Sequence, residues 1–468
     1  MGKILLGRDD YLDKMRGCWL GKNIGGTLGT PYEGKKYAHC LDYYDPVPTE
    51  PLPNDDLDFQ LVWLKMLEDR GVCPTFKDFS EYSFCTYNLL RGLKPPISGA
   101  FQNYWVDEMG SPIRSEIWAC VAPGDPQLAA SMAWMDSSMD HAGGEGRWGE
   151  MFWAAVESAA FVIQDPKTLI EIGLSMIPVS SHVARAIREA SRCHECGIEW
   201  GEARERIATT FGHHNPCNAV PNHGFTIIGW LYGKDYGDKL CKAVNCGYDT
   251  DCCTGATLGS VLGIIHGASG IPEEWKRPVG EAITPVGFTV TEGLPKTIGE
   301  LVARTRKVAE EFLSRRSRAA EFAGRTSAPE DALSSLFDNQ QVRGLLCFDV
   351  HCSVEDLGGL QVAFHYGGEP VLRPGVRKTF EVSLMESWKP VDASAATVGV
   401  KAPAGWEVSQ PLVEGGRFKF SVLAGAVDAR NVLELAVKAG QRGGRAEFTV
   451  LGPEAAKPIP ASTHAPKD

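Results

Sequence analysis

The chain has 468 residues, 43% of them hydrophobic and 23% charged, with a formal net charge of −12. That length exceeds one ordinary core and predicts two or three domains, while the composition excludes a disordered chain. The negative balance disfavours nucleic-acid backbones and anionic membranes as main partners.

The first apolar run, Ile4 to Leu6, is too short for a signal peptide, and no stretch reads as membrane-spanning. Fourteen cysteines then fit a reducing, cytoplasmic setting. Residues 9–29 predict a helix capped by Asp9 or Asp10, with Tyr11, Met15, Cys18 and Trp19 as its apolar stripe. Its second half, Gly17 to Gly29, is glycine-rich. A phosphate-binding loop would need a preceding strand and a Gly-Lys-Ser/Thr sequence, so close helix packing is the better reading. Pro31-Tyr32-Glu33-Gly34 ends the helix and leaves Glu33 on a loop.

Asn54-Asp55-Asp56 precedes a helix from Leu57 to Arg70, closed by Gly71. Carboxylates at a helix entrance serve as caps or as cation ligands. A helical pattern at 79–92 leads into a rigid loop around Pro95-Pro96 that holds Ser98 and Gly99, with Asn103 beyond it. Arg114 suits either a bidentate clamp on a phosphate or carboxylate, or a salt bridge within the fold. Further helices are predicted at 127–140, 150–163, 167–176, 180–198, 200–211, 224–232 and 292–324, so the region to residue 325 reads as all-α. His141 to Gly149 contains G-x-G-x-x-G, but it follows a helix and not a strand, which makes it a plain loop. His141 reads equally as a substrate contact or as a satisfied core histidine. Cys193-His194-Glu195-Cys196 lacks a second pair and is assigned to helix packing.

Asp249 and Asp251, two residues apart, cannot share a helix face, but they converge in a loop just before a helix, where backbone N–H groups are free. The helix that follows carries Gly255, Gly259, Gly263 and Gly267 at i+4 spacing. Each glycine weakens a helix by about 1 kcal/mol relative to alanine, so four on one stripe imply a second backbone packed unusually close. The two acidic pairs together supply enough carboxylates for two hard cations. Beyond residue 325 the helical period stops. Residues 326–340 read as a linker, alternation at Leu360, Phe380, Phe418 and Leu433 predicts an antiparallel β-sandwich over 341–453, and 454–468 reads as a disordered tail.

The order and spacing of five segments resemble the ADP-ribosylglycohydrolase family over roughly residues 10 to 280. These are Leu28-Gly29-Thr30-Pro31-Tyr32-Glu33, Asn54-Asp55-Asp56, Ile113-Arg114, Asp136 to His141, and Gly247-Tyr248-Asp249-Thr250-Asp251. The resemblance implies an all-α catalytic domain over 1–325 with two divalent cations, magnesium first, with manganese or calcium as alternatives. Its ligand motifs fall on Asn54, Asp55, Asp56, Asp249, Asp251 and Cys252. Cys252 is a poor ligand for magnesium, and Gly26 stands where the family often has an aspartate. Glu33 is the implied general acid/base, with Asp55 and Asp251 beside it in the chemistry. Ser98, Gly99, Asn103, Arg114, Glu116, His141 and Tyr248 are the expected substrate-binding residues. Pro403-Ala404-Gly405-Trp406-Glu407-Val408 resembles accessory domains of bacterial glycoside hydrolases. The implied activity is hydrolysis of an N- or O-glycosidic bond in an ADP-ribosyl, ribosyl or related small-molecule sugar. A glycoside hydrolase of carbohydrate catabolism and a non-enzymatic protein of the same fold are the competing readings, and the four aspartates argue against the last.

Overall fold

The structure is a computed structural model that describes residues 2–75, 83–287 and 289–457. The chain divides into two compact units. The first comprises Met1–Phe79, Asp107–Ser137 and Gly144–Leu346; the second comprises Ser80–Val106, Ser138–Gly143 and Cys347–Asp468. In this division residues 326–346 group with the first unit, and two stretches from before residue 325 group with the second.

The chain opens on strand β1 (Ile4–Gly7), followed by α1 (Arg8–Gly29) and α2 (Asp55–Arg70). Then come α3 (Ser83–Leu90), α4 (Ile97–Ala100), α5 (Ser115–Val121), α6 (Pro126–Asp140) and α7 (Glu145–Ala160). The series continues with α8 (Pro166–Ser175), α9 (His182–Glu195), α10 (Trp200–Phe211), α11 (Ala219–Tyr232) and α12 (Tyr236–Asn245). It closes with α13 (Thr257–Gly270), α14 (Glu273–Lys276), α15 (Ile298–Arg316) and strand β2 (Ala320–Ala323).

The glycine stripes find each other. A Cβ on Gly17, Gly21 or Gly25 of α1 would lie 2.1, 1.9 and 1.9 Å from the carbonyl oxygens of Gly263, Gly259 and Gly255. The descending partner order makes the two helices antiparallel. Any side chain there would force the backbones apart, so what the glycines lose in helix propensity is returned as close contact. Gly267 is the exception: its φ of 69° breaks the helix, and a Cβ on it would meet Asp13 Oδ2 at 2.2 Å. By length and apolarity alone Thr250–Gly270 also qualifies as a membrane-crossing helix, though most of that stretch is buried.

Several expectations are corrected. The region is not purely helical, because β1 and β2 form a parallel pair. β2 occupies the end of the span predicted as one helix over 292–324. The helix predicted from Glu150 starts at Glu145, so the G-x-G-x-x-G stretch runs into its first turn. Pro216 stays in a loop, but Pro221 lies in the first turn of α11, where a missing N–H costs nothing. The helix α12 went unpredicted. Residues 326–340 contain helical turns at Glu330–Leu333 and Ser334–Phe337 and are no plain linker. The start of the helix expected at 79–92, and the tail from Pro458, lie outside the described residues.

The second unit holds two antiparallel sheets. One runs β3 (Cys352–Asp356), β4 (Leu360–His365), β5 (Lys378–Glu386), β10 (Arg417–Leu423), β8 (Glu407–Val408), with β6 (Lys389–Pro390) beside β5 and β9 (Leu412–Glu414) beside β10. The other is β12 (Arg442–Leu451), β11 (Arg430–Ala439), β7 (Ala396–Lys401). Phe364, Phe380, Phe420 and Phe448 fill the core, joined by Leu93, Ile97 and Phe101 from far earlier in the chain.

Candidate metal centre

The end of α1 sets the site. Thr250 Oγ1 donates to Gly29 O at 2.8 Å, and a Cβ on Gly29 would meet Thr250 O at 2.0 Å. Asp249 thus sits at the mouth of a π-helical turn, Thr250–Ala256, that leads into α13. Asp251 is inside this turn and not in the loop expected before it; such bulges recur at functional sites because they re-aim side chains. Asn222 Oδ1 accepts the Asp249 N–H at 3.3 Å. The Glu33 loop is fastened to the same place: Gly34 N–H donates to Tyr248 O at 2.8 Å, and Tyr248 N–H to Lys35 O at 2.9 Å. Tyr248 makes this return with φ 73°, the left-handed region that side chains avoid.

The other acidic pair arrives on α2. Asn54 is its cap, with Oδ1 accepting the Asp56 N–H at 2.8 Å. Ligand atoms of Asp55, Asp56 and Cys252 lie within 4.8 Å of one another, and so do those of Asp249, Asp251 and Cys252. Cys252 is common to both groups. The structure therefore brings together all four predicted aspartates around one thiol.

The electrostatics fit a cation. Asp56 is 0% exposed, and apart from the Cys252 thiol neither of its carboxylate oxygens has a hydrogen-bond partner among the described residues. Its nearest cation is Lys22 Nζ at 3.8 Å, and that ammonium is engaged more closely by Glu116 at 2.6 Å. Burial pushes the Asp56 carboxyl well above the usual carboxylate range; Lys22 pulls it down, and Asp55 and Asp251 push it further up. Asp251 is also raised, by burial first, with the Cys252 N–H opposing and Asp55 adding to the rise. Glu33 is exposed at the rim, yet its carboxyl is raised to about 7, chiefly by the charge of Asp251, then by lost solvation and by Asp55. Buried carboxylates in mutual repulsion, with orphaned oxygens, suit a hard divalent cation that restores the missing positive charge. Cys252 fits less well. Burial, and then Asp251, Asp56, Asp249 and Asp55, hold its thiol well above its ordinary value, and it faces Asp55 Oδ1 at 3.7 Å as a neutral S–H.

The other expected residues have these surroundings. Arg114 is 1% and Glu116 0% exposed, and both are held in ion pairs within the fold. Arg114 pairs with Asp136 at 3.1 Å and lies 3.6 Å from Glu150; its salt-bridge reading is the one observed. Glu116 binds Lys22 and accepts from Gln60 Nε2 at 2.7 Å and Ser260 Oγ at 3.1 Å. This network braces the floor of the acidic site. The Tyr248 ring is buried, 5.0 Å from Phe225. Ser98, Gly99, Asn103 and His141 belong to the second unit. There His141 Nδ1 pairs with Asp140 at 2.7 Å, as a satisfied buried histidine, and Asn103 Nδ2 donates to Gly99 O at 2.9 Å. Cys193 is buried at the end of α9 and Cys196 caps it, in keeping with packing.

One residue escaped the sequence reading. Glu108 is 5% exposed, its Oε2 has no hydrogen-bond partner among the described residues, and burial raises its carboxyl to about 7. It acts on the same Cys217 thiol that feels Asp249 and Glu33. Met109 N–H donates to Cys217 O at 2.9 Å and fixes that neighbourhood. A single glutamate in a loop carries no motif, and only the fold gives it carboxylate company.

A family model described as ADP-ribosylglycohydrolase matches residues 7–319. An uncharacterized protein of Archaeoglobus fulgidus is 25% identical over 294 residues, 56% of this chain and 90% of its own length. A solved structure titled "ADP-ribosylglycohydrolase-related protein complex" aligns with a TM-score of 0.46 and 17% identity, covering 65% of this chain and 99% of that one.

Proposed function

Because the chain belongs to the ADP-ribosylglycohydrolase family, we propose that it hydrolyses an N- or O-glycosidic bond of an ADP-ribosyl, ribosyl or related sugar at a pair of divalent cations, magnesium or manganese. One observation supports this above all: Asp55, Asp56, Asp249 and Asp251 converge around Cys252, with Glu33 at the rim in electrostatic contact with two of them. Asp55 and Asp56 would hold one cation, and Asp249 and Asp251 the other. Asn54 serves chiefly as the cap of α2, since its oxygen is already engaged by the Asp56 N–H. Bound there, hard cations would supply Lewis acidity, lowering the pKa of water and orienting sugar hydroxyls.

The chain's own groups do the rest. Glycosidic cleavage gathers positive charge at the anomeric carbon, and the leaving group needs a proton. A carboxyl near 7 is poised to hold a proton and to give it up, which supports Glu33 as the general acid/base. Its attachment to the Gly247–Tyr248 turn keeps it over Asp251. The Lys22–Glu116–Gln60 network holds α1, α2 and α5 in register beneath the carboxylates. The test is a release assay with magnesium or manganese, on ADP-ribosylated arginine and serine and on a panel of glycosides. Cleavage of at least one substrate, lost in Asp251→Asn, is the expected result; cleavage of none removes the proposal.

A further inference from the structure

The β-sandwich carries an open cavity of about 640 Å³ on the outer face of its larger sheet, a size that suits a small-molecule ligand. The alternation of β4, β5 and β10 builds it. Phe364, Phe380 and Phe420 belong to the core, while their strand neighbours His365, Glu381 and Lys419 face the other way and line the cavity. Register sets these three in one row: His365 pairs with Glu381, and Glu381 with Lys419. The His365 ring is fixed at both ends, with Nδ1 2.8 Å from Asp349 Oδ2 and Nε2 2.8 Å from Ser383 Oγ.

The charge of this lining is the reverse of the chain's. The whole protein carries −12, yet Arg373, Arg377, Lys378, Arg417 and Lys419 line the cavity against only two carboxylates, those of Asp349 and Glu381. Lys378 is half-buried and forms no ion pair among the described residues; its ammonium donates to the carbonyls of Glu369 and Val371. Burial lowers it to about 8; Glu369 pulls it back up, and Arg373 pushes it further down. An anion in the cavity would restore what burial takes away. The arginines sit in pairs open to water: Arg373 with Glu369 at 3.6 Å, Arg377 with Glu407 at 3.1 Å and Arg417 with Glu381 at 3.0 Å. Exposed pairs of this kind stabilise little, so a ligand can replace one partner at small cost. No phenylalanine, tyrosine or tryptophan is among the described lining residues, which removes the stacking platform a nucleobase would use. A bare inorganic anion would be repelled by Asp349 and Glu381. A sugar acid meets the same two carboxylates as acceptors for its hydroxyls, while its own carboxylate takes the cations.

We propose that this face of the β-sandwich binds an acidic saccharide of the uronate class, at a second site built from residues other than the acidic cluster. That the anion is a sugar acid rests in part on the glycohydrolase reading; that the cavity takes an anion does not. The experiment uses the full chain with cations removed by chelation, so that no carboxylate binds through a metal. Digalacturonate, its neutral counterpart galactobiose, and citrate are titrated by calorimetry into wild type, Lys378→Met, Arg417→Gln and Asp251→Asn. Digalacturonate should bind wild type and Asp251→Asn equally, and at least fivefold more weakly in Lys378→Met and Arg417→Gln. Galactobiose should not bind, and added salt should weaken the digalacturonate complex. If Lys378→Met fails to fold, Arg417→Gln decides. No binding of digalacturonate to wild type, or equal binding to wild type and both cation variants, overturns the proposal. So does binding lost in Asp251→Asn and kept in the other two, which puts the sugar at the acidic centre. Galactobiose binding as tightly as digalacturonate overturns the anionic class, and citrate binding as tightly overturns the saccharide. Glycosidic release measured separately keeps the two readings apart: turnover without digalacturonate at the β-sandwich defeats only this one, and digalacturonate bound there without turnover of any glycoside defeats only the other.

Discussion

Glu33 concentrates the chemistry into one side chain. Its carboxyl ordinarily titrates near 4.5 and is raised to about 7 in the cation-free fold. The sign of the consequence follows from linkage. A carboxyl raised on folding binds more protons in the native state between those two values, so its contribution to stability is present below about 4.5 and is lost as pH rises through about 7. Cation-free wild type should therefore lose thermal stability from pH 5 to pH 8, and Glu33→Gln should flatten that slope and be the more stable of the two at pH 8. The same substitution should lower kcat by roughly 10²–10⁴-fold with cations bound, as general acid/base removal does. A slope unchanged by Glu33→Gln would remove Glu33 from contact with the acidic pair. Its neighbours show how departures from the family pattern can compensate. A Cβ on Gly26 would lie 2.2 Å from Asn54 Nδ2. The Asn54 amide thus occupies room that a side chain at position 26 would need. Arg114 and Glu116 teach the opposite lesson: a sequence reveals that a polar residue is present, not whether the fold has already paired it.

At the scale of elements, the α1–α13 pair organises the first unit. It was legible because glycine at i+4 spacing has no other economical use in a helix, and both stripes were visible. Which stripe met which was not legible, since spacing fixes a face and says nothing of its partner. The π-helical turn at Thr250–Ala256 was missed for a related reason: its cause is the clamp from Gly29, far away in sequence. Gly21→Ala and Gly259→Ala should each destabilise the protein. Alanine would add up to about 1 kcal/mol of helix propensity. Its Cβ would stand 1.9 or 2.0 Å from a carbonyl oxygen, and overpacking costs typically 1–3 kcal/mol, more against backbone. Urea unfolding should show the midpoint falling in both variants; a rise in either would mean the helices are not held at that distance.

At the scale of the whole molecule, the switch from helical period to alternation gave away the β-sandwich, and the two acidic pairs pointed to the place where four aspartates converge. The domain boundary was less accessible. Leu93 and Ile97 fall in the stretch read as a rigid loop around Pro95-Pro96, with Phe101 beyond it, and nothing local tells that their core lies more than 250 positions later. They are buried with Phe364 and Phe448 in the second unit. Truncation after Leu346 should therefore strip these three residues of their cover and give a poorly soluble product, measured as the soluble fraction on expression. A truncated chain as soluble and as cooperative in unfolding as the full one would show that this core is dispensable.

The acidic cluster is the feature on which the proposed activity and its predicted pH behaviour rest. Its decisive measurement is the number of Mn²⁺ ions bound per chain at pH 7.5 by chelated and re-metallated wild type, Asp55→Asn and Asp251→Asn. Binding of two ions is expected in wild type, with the binding of at least one lost in each variant, accompanied by loss of the metal-dependent rise in Tm. Wild type that binds no Mn²⁺ or Mg²⁺, or variants that bind both ions as wild type does, would contradict a metal centre at Asp55, Asp56, Asp249 and Asp251.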